Sequence, residues 1–269
     1  MSGQDTYEVF AIRYGRKVDR RRHENFIVAE PHDGLMPMDY YIWAIRNGSR
    51  TIVVDTGFDE AEARRRGREP LRRPREGLAM LGIDARQVAD VVITHLHYDH
   101  AGTLDDFPQA TFHVQDREMA YATGRHMRHE AMRSPYAPAH VVRMVEKVYG
   151  GQVQFHDGDD EIAPGVSVHH IGGHTMGLQC VRVRTRYGWV VLASDASHYY
   201  ENMETGSPFP IVYSVGDMLE GYRKLRQLAG SDGHVIPGHD PLVLERYPAP
   251  ARDVEGVIAR LDTAPEGER

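Results

Sequence analysis

The stretch Thr94-His95-Leu96-His97-Tyr98-Asp99-His100-Ala101-Gly102 constrains this chain more than any other, because three imidazoles and a carboxylate fall within six residues. They begin where the β-branched run Val91-Val92-Ile93 ends, the pattern of a buried strand opening into a loop. His95 and His97 stand two apart, so both can reach one ion from the same side of the backbone. Asp99 and His100 follow at the turn, and Gly102 would let the backbone bend close to a second ion. Nitrogen and oxygen donors without thiolate suit zinc, iron, manganese or cobalt. The competing reading is a polar loop with coincidental histidines, in a chain that has 16 of them.

A metal pair needs more donors than one loop supplies. Downstream, three lone donors each follow an apolar run and stand beside Gly, Pro or a small residue. His174 lies in Ile171-Gly172-Gly173-His174-Thr175-Met176-Gly177, Asp195 ends Trp189-Val190-Val191-Leu192-Ala193-Ser194, and His239 sits in Val235-Ile236-Pro237-Gly238-His239-Asp240. Donors in this order resemble the metallo-β-lactamase superfamily, whose pattern is His-x-His-x-Asp-His, a Gly-His-Thr histidine, a bridging Asp and a last His. The match runs from His95 to His239. The resemblance implies an α/β fold, the metallo-β-lactamase-like αββα sandwich with metals at its upper edge, and a single hydrolase domain over residues 1–269. It assigns His95, His97 and His174 to one divalent ion, Asp99, His100 and His239 to a second, and Asp195 to the bridge. Zinc is the first expectation for both ions, with iron, manganese or cobalt as alternatives.

The chemistry implied is hydrolysis: a hydroxide shared by the ions attacks a carbonyl carbon, and Asp99 passes its proton to the leaving group. Asp55, in Asp55-Thr56-Gly57, ends a strand as does a superfamily Asp that lies behind the metal histidines. It is expected to accept a hydrogen bond from a ligand imidazole, or else to be a plain turn or helix cap. The segment Asp195-Ala196-Ser197-His198-Tyr199-Tyr200-Glu201-Asn202 resembles the N-acyl homoserine lactonases, as do the chain length, the long N-terminal loop and the Gly-His-Thr-x-Gly context. In those enzymes a tyrosine three residues after the bridging Asp helps bind the lactone carbonyl. This chain has His198 there, with Tyr199 and Tyr200 next, so His198 replaces the phenol, Tyr199 shifts in, or all three pack at a helix start. The N-terminal loop of the lactonases overhangs the metals, which makes Leu35, Met36 and Met38 candidates for substrate contact, with core packing the alternative for each. The expected activity is opening of N-acyl homoserine lactone or a related small lactone, hence quorum quenching. The alternative is a glyoxalase-II-like thioesterase or another hydrolase of the same superfamily; against the thioesterase, the residues after Pro248 look too few for a glutathione-binding region.

Charge narrows the partners. A formal charge of −7 argues against general affinity for nucleic acid or anionic membrane, and no stretch approaches a transmembrane span. No basic-then-apolar segment opens the chain, so the cytoplasm is the expected compartment. A small-molecule lactone is the expected partner, and assembly into a homodimer is left open. The single cysteine, Cys180, reads as a buried structural thiol. Strands are expected at Tyr7–Tyr14, Tyr40–Ile45, Thr51–Val54, Val153–His156, Val166–Ile171, Leu178–Thr185, Trp189–Ala193 and His234–Ile236, with Asn47-Gly48 as a hairpin turn. Residues 60–87 read as helical around a Pro-containing interruption. Asp116–Tyr121 and Ala139–Tyr149 read as helices flanking the irregular Gly124–Pro138, which carries His126 and His129 at ligand-like spacing. Val215–Leu228 and Ala251–Leu261 complete the helices, and the tail from Thr263 to Arg269 is expected to fray.

Overall fold

The computed structural model describes residues 6–28, 32–230 and 234–265. Pro31 of the N-terminal loop and residues 266–269 of the tail lie outside them. The strands are β1 (Glu8–Lys17), β2 (Met38–Arg46), β3 (Thr51–Val54), β4 (Glu69–Pro70), β5 (Asp90–Val92), β6 (Thr111–Gln115), β7 (Val153–His156), β8 (Asp160–Ala163), β9 (Val166–His170), β10 (Gln179–Arg184), β11 (Trp189–Ser194), β12 (Val235–Pro237) and β13 (Ile258–Arg260). The helices are α1 (Glu60–Arg66), α2 (Pro74–Ala79), α3 (Asp116–Ala122), α4 (Glu130–Arg133), α5 (Pro138–Tyr149), α6 (Tyr200–Thr205), α7 (Val215–Ala229) and α8 (Leu242–Arg246). One sheet has eight strands in the order β13-β1-β2-β3-β5-β6-β7, with β4 against β1; the other has five in the order β12-β11-β10-β9-β8.

The layering follows from the period-2 geometry of β1 and β2, which are apolar on both faces. Val9, Ala11, Tyr41, Trp43 and Ile45 meet Val181, Val183 and Val191 of the second sheet in one core. The alternate residues Phe10, Ile12, Tyr14, Tyr40, Ile42 and Ala44 meet Ala63 of α1, Leu78 of α2 and Met144 of α5 in another. Helix α7 packs against β11 and β12, inserting Met218, Tyr222 and Leu225. Helices, sheet, sheet, helices is therefore the order of layers, a metallo-β-lactamase fold. Each fully buried large apolar side chain here is worth about 1.5–3 kcal/mol, so a charge at Trp43, which is 0% exposed, would open the sandwich from within.

Strand direction decides where the site lies. In the first sheet β3, β5, β6 and β7 are parallel; in the second, β9, β11 and β12 point the same way. The loops that leave β3, β5, β9, β11 and β12 carry Asp55, the Thr94–Gly102 stretch, His174, Asp195 and His239 to one edge of the sandwich.

Several expectations are corrected. Ala251–Leu261 is not a helix: a 3-10 turn at Arg252–Val254 leads into β13, which pairs with β1 through Phe10 and Arg260, Ala11 and Ala259, Ile12 and Ile258. Gly256 at φ +70° breaks the helical path, and the open edge of β1 supplies hydrogen bonds that an exposed turn of helix would lack. Strand β1 runs past Tyr14 to Lys17 by way of a register shift at Arg13 and Gly15. The segment 124–138 is not wholly irregular, since it holds a 3-10 turn at Arg125–Arg128 and α4. Cys180 is buried, as expected, and burial pushes its thiol up to about 12.

Candidate metal centre

At that edge the side chains converge. His95 Nε2, His97 Nδ1 and His174 Nε2 lie 2.9–3.2 Å from one another. Burial first, then the neighbouring imidazoles, holds His95 and His97 well below the ordinary histidine pKa, so both are neutral donors. Unprotonated ring nitrogens this close repel unless a cation stands among them. A tetrahedral ion with bonds of ~2.0–2.1 Å places its ligand atoms about 3.3 Å apart, close to the separations observed. A second group, Asp99, His100 and His239, has its ligand atoms within 4.8 Å of one another.

Asp195 joins the groups. Its Oδ1 lies 3.0 Å from His239 Nε2 and 3.4 Å from His100 Nε2, while Oδ2 lies 3.3 Å from His174 Nε2 and 3.8 Å from His95 Nε2. Burial opposes its charge, but His239, His100 and His198 hold the carboxyl well below the usual range, so it stands ionised with one oxygen turned to each group. Asp195 Oδ1 and His100 Nε2 are buried with no hydrogen-bond partner. Buried polar atoms are seldom left so, and a cation pair among these donors would satisfy both. The residues fit two divalent ions.

What aims each donor is its other end. His100 Nδ1 lies 2.7 Å from Asp55 Oδ2, His174 Nδ1 2.6 Å from the Ile211 carbonyl, and His239 Nδ1 2.8 Å from the Asp39 carbonyl. Each contact places the proton on the outer nitrogen and leaves Nε2 free to ligate. Asp55 also accepts from the Thr94 backbone N–H at 2.8 Å and the Thr94 hydroxyl, and it sits at φ +62°, a conformation that costs a non-glycine residue stability. Asp55 is therefore far more than a turn: it braces the first residue of the metal loop and one of its ligands.

Glu118 of α3 does the same for the other group, and sequence reasoning missed it. Fully buried, it accepts from the Leu96 N–H at 2.9 Å, the Tyr136 hydroxyl at 3.0 Å, the Thr175 hydroxyl at 2.5 Å and the Gly177 N–H at 3.2 Å. One carboxylate thus ties the backbone between His95 and His97 to the loop that carries His174. Gly177 has to be glycine, because a Cβ there would lie 2.1 Å from the Glu118 nitrogen. Gly102 plays a different part from the one expected: its bare face packs on the Gly57 carbonyl, which a Cβ would approach to 2.6 Å, rather than beside an ion.

A narrow cavity of ≈ 130 Å³ opens over the donors, lined by Arg20, Met38, Tyr40, Arg66, Arg68, Tyr98, Ser134, Pro135 and Ile211 together with His97, Asp99, His174, Asp195, His239 and His198. His198 Nε2 lies 3.0 Å from Asp195 Oδ2, its ring stacks on Phe209 at 3.3 Å, and Nδ1 has no partner. With His174 and Asp195 it forms one more close group of donors, so it leans on the bridge as well as facing the cavity. Tyr199 does not reach the cavity; its hydroxyl donates to the Pro37 carbonyl at 3.2 Å and pins the N-terminal loop. Of the three loop candidates only Met38 lines the cavity. Leu35, 69% exposed, turns to solvent where its backbone pairs with Arg21, and Met36 packs against the core beneath β2. His126, read at ligand spacing, packs instead on Tyr121 and Tyr213.

The model of the metallo-beta-lactamase superfamily matches residues 36–239. The chain belongs to that superfamily, a family of metal-dependent hydrolases. It is 32% identical to an N-acyl homoserine lactonase of Azorhizobium caulinodans over 64% of this chain and 67% of that one. It is 27% identical to an N-acyl homoserine lactonase of a Bacillus species over 77% of this chain and 83% of that one. Among solved structures, a quorum-quenching N-acyl homoserine lactone lactonase superposes with a TM-score of 0.73 at 23% identity, covering 89% of this chain and 94% of the other. A probable metal-dependent hydrolase from Staphylococcus aureus superposes at 0.74 with 14% identity, over 99% and 97%. Among the described residues no helix is long and apolar enough to cross a membrane.

Proposed function

We propose that the protein is a dinuclear metal-dependent lactonase that opens N-acyl homoserine lactone or a related small lactone, an activity that would make it quorum-quenching. The observation that carries the reading is Asp195, whose two oxygens are divided between two groups of imidazole and carboxylate donors. Two divalent ions held there, zinc first among them, would supply an acidified water and a Lewis acid for a carbonyl oxygen at neutral pH. The names of the relatives support a lactone over the thioester, β-lactam and phosphodiester bonds that similar sites cleave.

The chain's own residues do the rest. Asp99, with Oδ1 3.7 Å from His100 Nε2 and Oδ2 3.8 Å from His239 Nε2, lines the cavity and can carry a proton to the departing alkoxide. Its backbone is fixed by the Tyr14 hydroxyl, which donates to the Asp99 carbonyl at 2.7 Å. His198 can present an N–H to the substrate carbonyl, provided that bond replaces the one to Asp195. Met38, Tyr40, Tyr98, Pro135 and Ile211 wall the cavity and exclude water from the ring.

A pH-indicator assay tests this. Homoserine lactones should release one proton per ring opened, with kcat/KM orders of magnitude above that for nitrocefin, a bis-aryl phosphodiester or S-lactoylglutathione. A better rate on any of those three would overturn the lactonase reading.

A further inference from the structure

Three arginines line the cavity, and they are not alike. Arg66 is neutralised by Glu62 at 2.7 Å, donates to the Tyr136 carbonyl, and lies 4.0 Å over the Tyr98 ring. Arg68 donates through Nε to the Tyr98 hydroxyl at 2.9 Å and lies 5.9 Å from the Tyr40 and Tyr98 ring centres, with no carboxylate in ion-pair contact among the described residues. Arg20, only 7% exposed, donates to the Asn25 side-chain oxygen and to the Glu24 carbonyl at 3.1 Å, both neutral acceptors. Elsewhere arginines find acids: Arg13 with Asp39, Arg16 with Glu69, Arg73 with Glu60.

Arginine is rarely buried without a counter-charge, because desolvating its charge is costly. Arg20 is buried in this way and Arg68 half-buried, and two guanidiniums facing one cavity are a device for an anion, whose planar oxygens the guanidinium fork matches. Arg68 is also held in place: the Tyr98 hydroxyl that receives its Nε lies 3.2 Å from the Tyr40 hydroxyl, and the Tyr40 ring packs edge-on against His239 at 5.0 Å. The guanidinium therefore stands on the wall beside the second donor group. Drug-sized ligands fill pockets of ~300–1,000 Å³; at ≈ 130 Å³ this cavity suits a small ring with a short substituent.

We propose that the substrate carries an oxyanion, a carboxylate or phosphate, gripped by Arg20 and Arg68 while the scissile bond rests on the donor cluster. Where the scissile bond is concerned the inference rests on the lactonase reading; the anion grip does not depend on it.

Calorimetric titration of the metal-replete protein with butyrate, glutarate and 3-phosphonopropionate separates the two. All three offer one carboxylate to the ions, and the last two add a second carboxylate or a phosphonate. Glutarate or 3-phosphonopropionate should bind at least about 10-fold tighter than butyrate, and that advantage should shrink to within about 2-fold in Arg68→Gln and in Arg20→Gln. Metal content, measured alongside, should be unchanged, and Arg68→Lys should keep part of the advantage. The tighter of the two ligands identifies the anion as carboxylate or phosphate. Equal binding of all three, or an advantage that survives both substitutions, overturns the proposal. Turnover then distinguishes it from its parent reading. The γ-carboxylate of γ-butyrolactone should be opened with higher kcat/KM than γ-butyrolactone itself, mainly through KM, and that ratio should fall about 10- to 100-fold in Arg68→Gln. If both rings open equally well, the anion grip is overturned and the lactonase stands. If neither opens while glutarate keeps its advantage, the grip stands and the lactonase reading falls.

Discussion

In the donor cluster beneath the cavity, which forms its floor, His100, His174 and His239 each point one nitrogen inward and rest the other on Asp55, the Ile211 carbonyl or the Asp39 carbonyl. At the rim, Arg20 and Arg68 reach inward with no carboxylate in ion-pair contact among the described residues, and Val18, Val28 and Leu35 nearby in sequence are 50%, 65% and 69% exposed. The floor is made of strand ends, so its geometry is inherited from the two sheets. Arg20 and Arg68 stand on loops, so they can vary without disturbing the fold. A change in the floor should therefore be read in bound metal, and a change in the rim in substrate preference.

Asp195→Ala is the severest challenge to that division. Removing the element shared by both groups should empty both, taking turnover to background, whereas His174→Ala should mainly weaken the group it belongs to. Elemental analysis of the two variants checks this; retention of both ions by Asp195→Ala would dissolve the floor as described.

His198 sits on the boundary, and its variants say to which side it belongs. If its N–H serves the carbonyl, His198→Ala should lower kcat about 10²–10³-fold with both ions retained, and His198→Tyr should restore part of it. Loss of metal instead would place His198 in the floor through its 3.0 Å contact with Asp195.

Next in size come the braces behind the floor. Asp55→Asn keeps a residue tolerant of positive φ but loses the charge behind His100, and Glu118→Gln loosens the tie between the His95–His97 turn and the His174 loop. Each should weaken metal about 10- to 100-fold in a chelator competition, with substrate preference unchanged. An altered substrate preference with normal metal affinity would show floor and rim to be coupled.

The smallest effect is expected far from both. His113 links Asp90 to His156, which in turn meets Asp160 at 2.8 Å, across β5, β6, β7 and β8. The His113 hydrogen bond holds Asp90 below the usual carboxylate range. A lowered folded pKa means stability that is present above the unfolded value and lost as pH falls through the folded one. Asp90→Asn should therefore lower Tm by about 1–3 °C at pH 7, and the gap to the parent protein should close on acidification toward pH 3. A gap that widened in acid would refute the sign.

The floor is legible in the sequence because ligands occur within a six-residue motif or singly after apolar runs, where residue type alone signals the chemistry. Glu118 is not, since an acidic residue in the first turn of a helix looks the same whether it faces water or a buried ring of donors. Nor are Arg20 and Arg68, which sit in basic stretches typical of solvated surface; what marks them is that they face the cavity without an ion pair among the described residues, a property of the folded chain. The C-terminal strand β13 reads as helix in the sequence because its three residues have no pattern of their own and become a strand only by meeting β1, some 250 positions away. Assignment of Leu35 failed for a related reason: an apolar residue in a loop gives no sign of the direction it faces.

Elemental analysis of the metal-replete protein tests the central claim most directly. Two divalent ions per chain, reproducible after removal of excess metal, is the predicted result. A single ion per chain, or none, would contradict a floor in which one carboxylate is shared between two groups of donors.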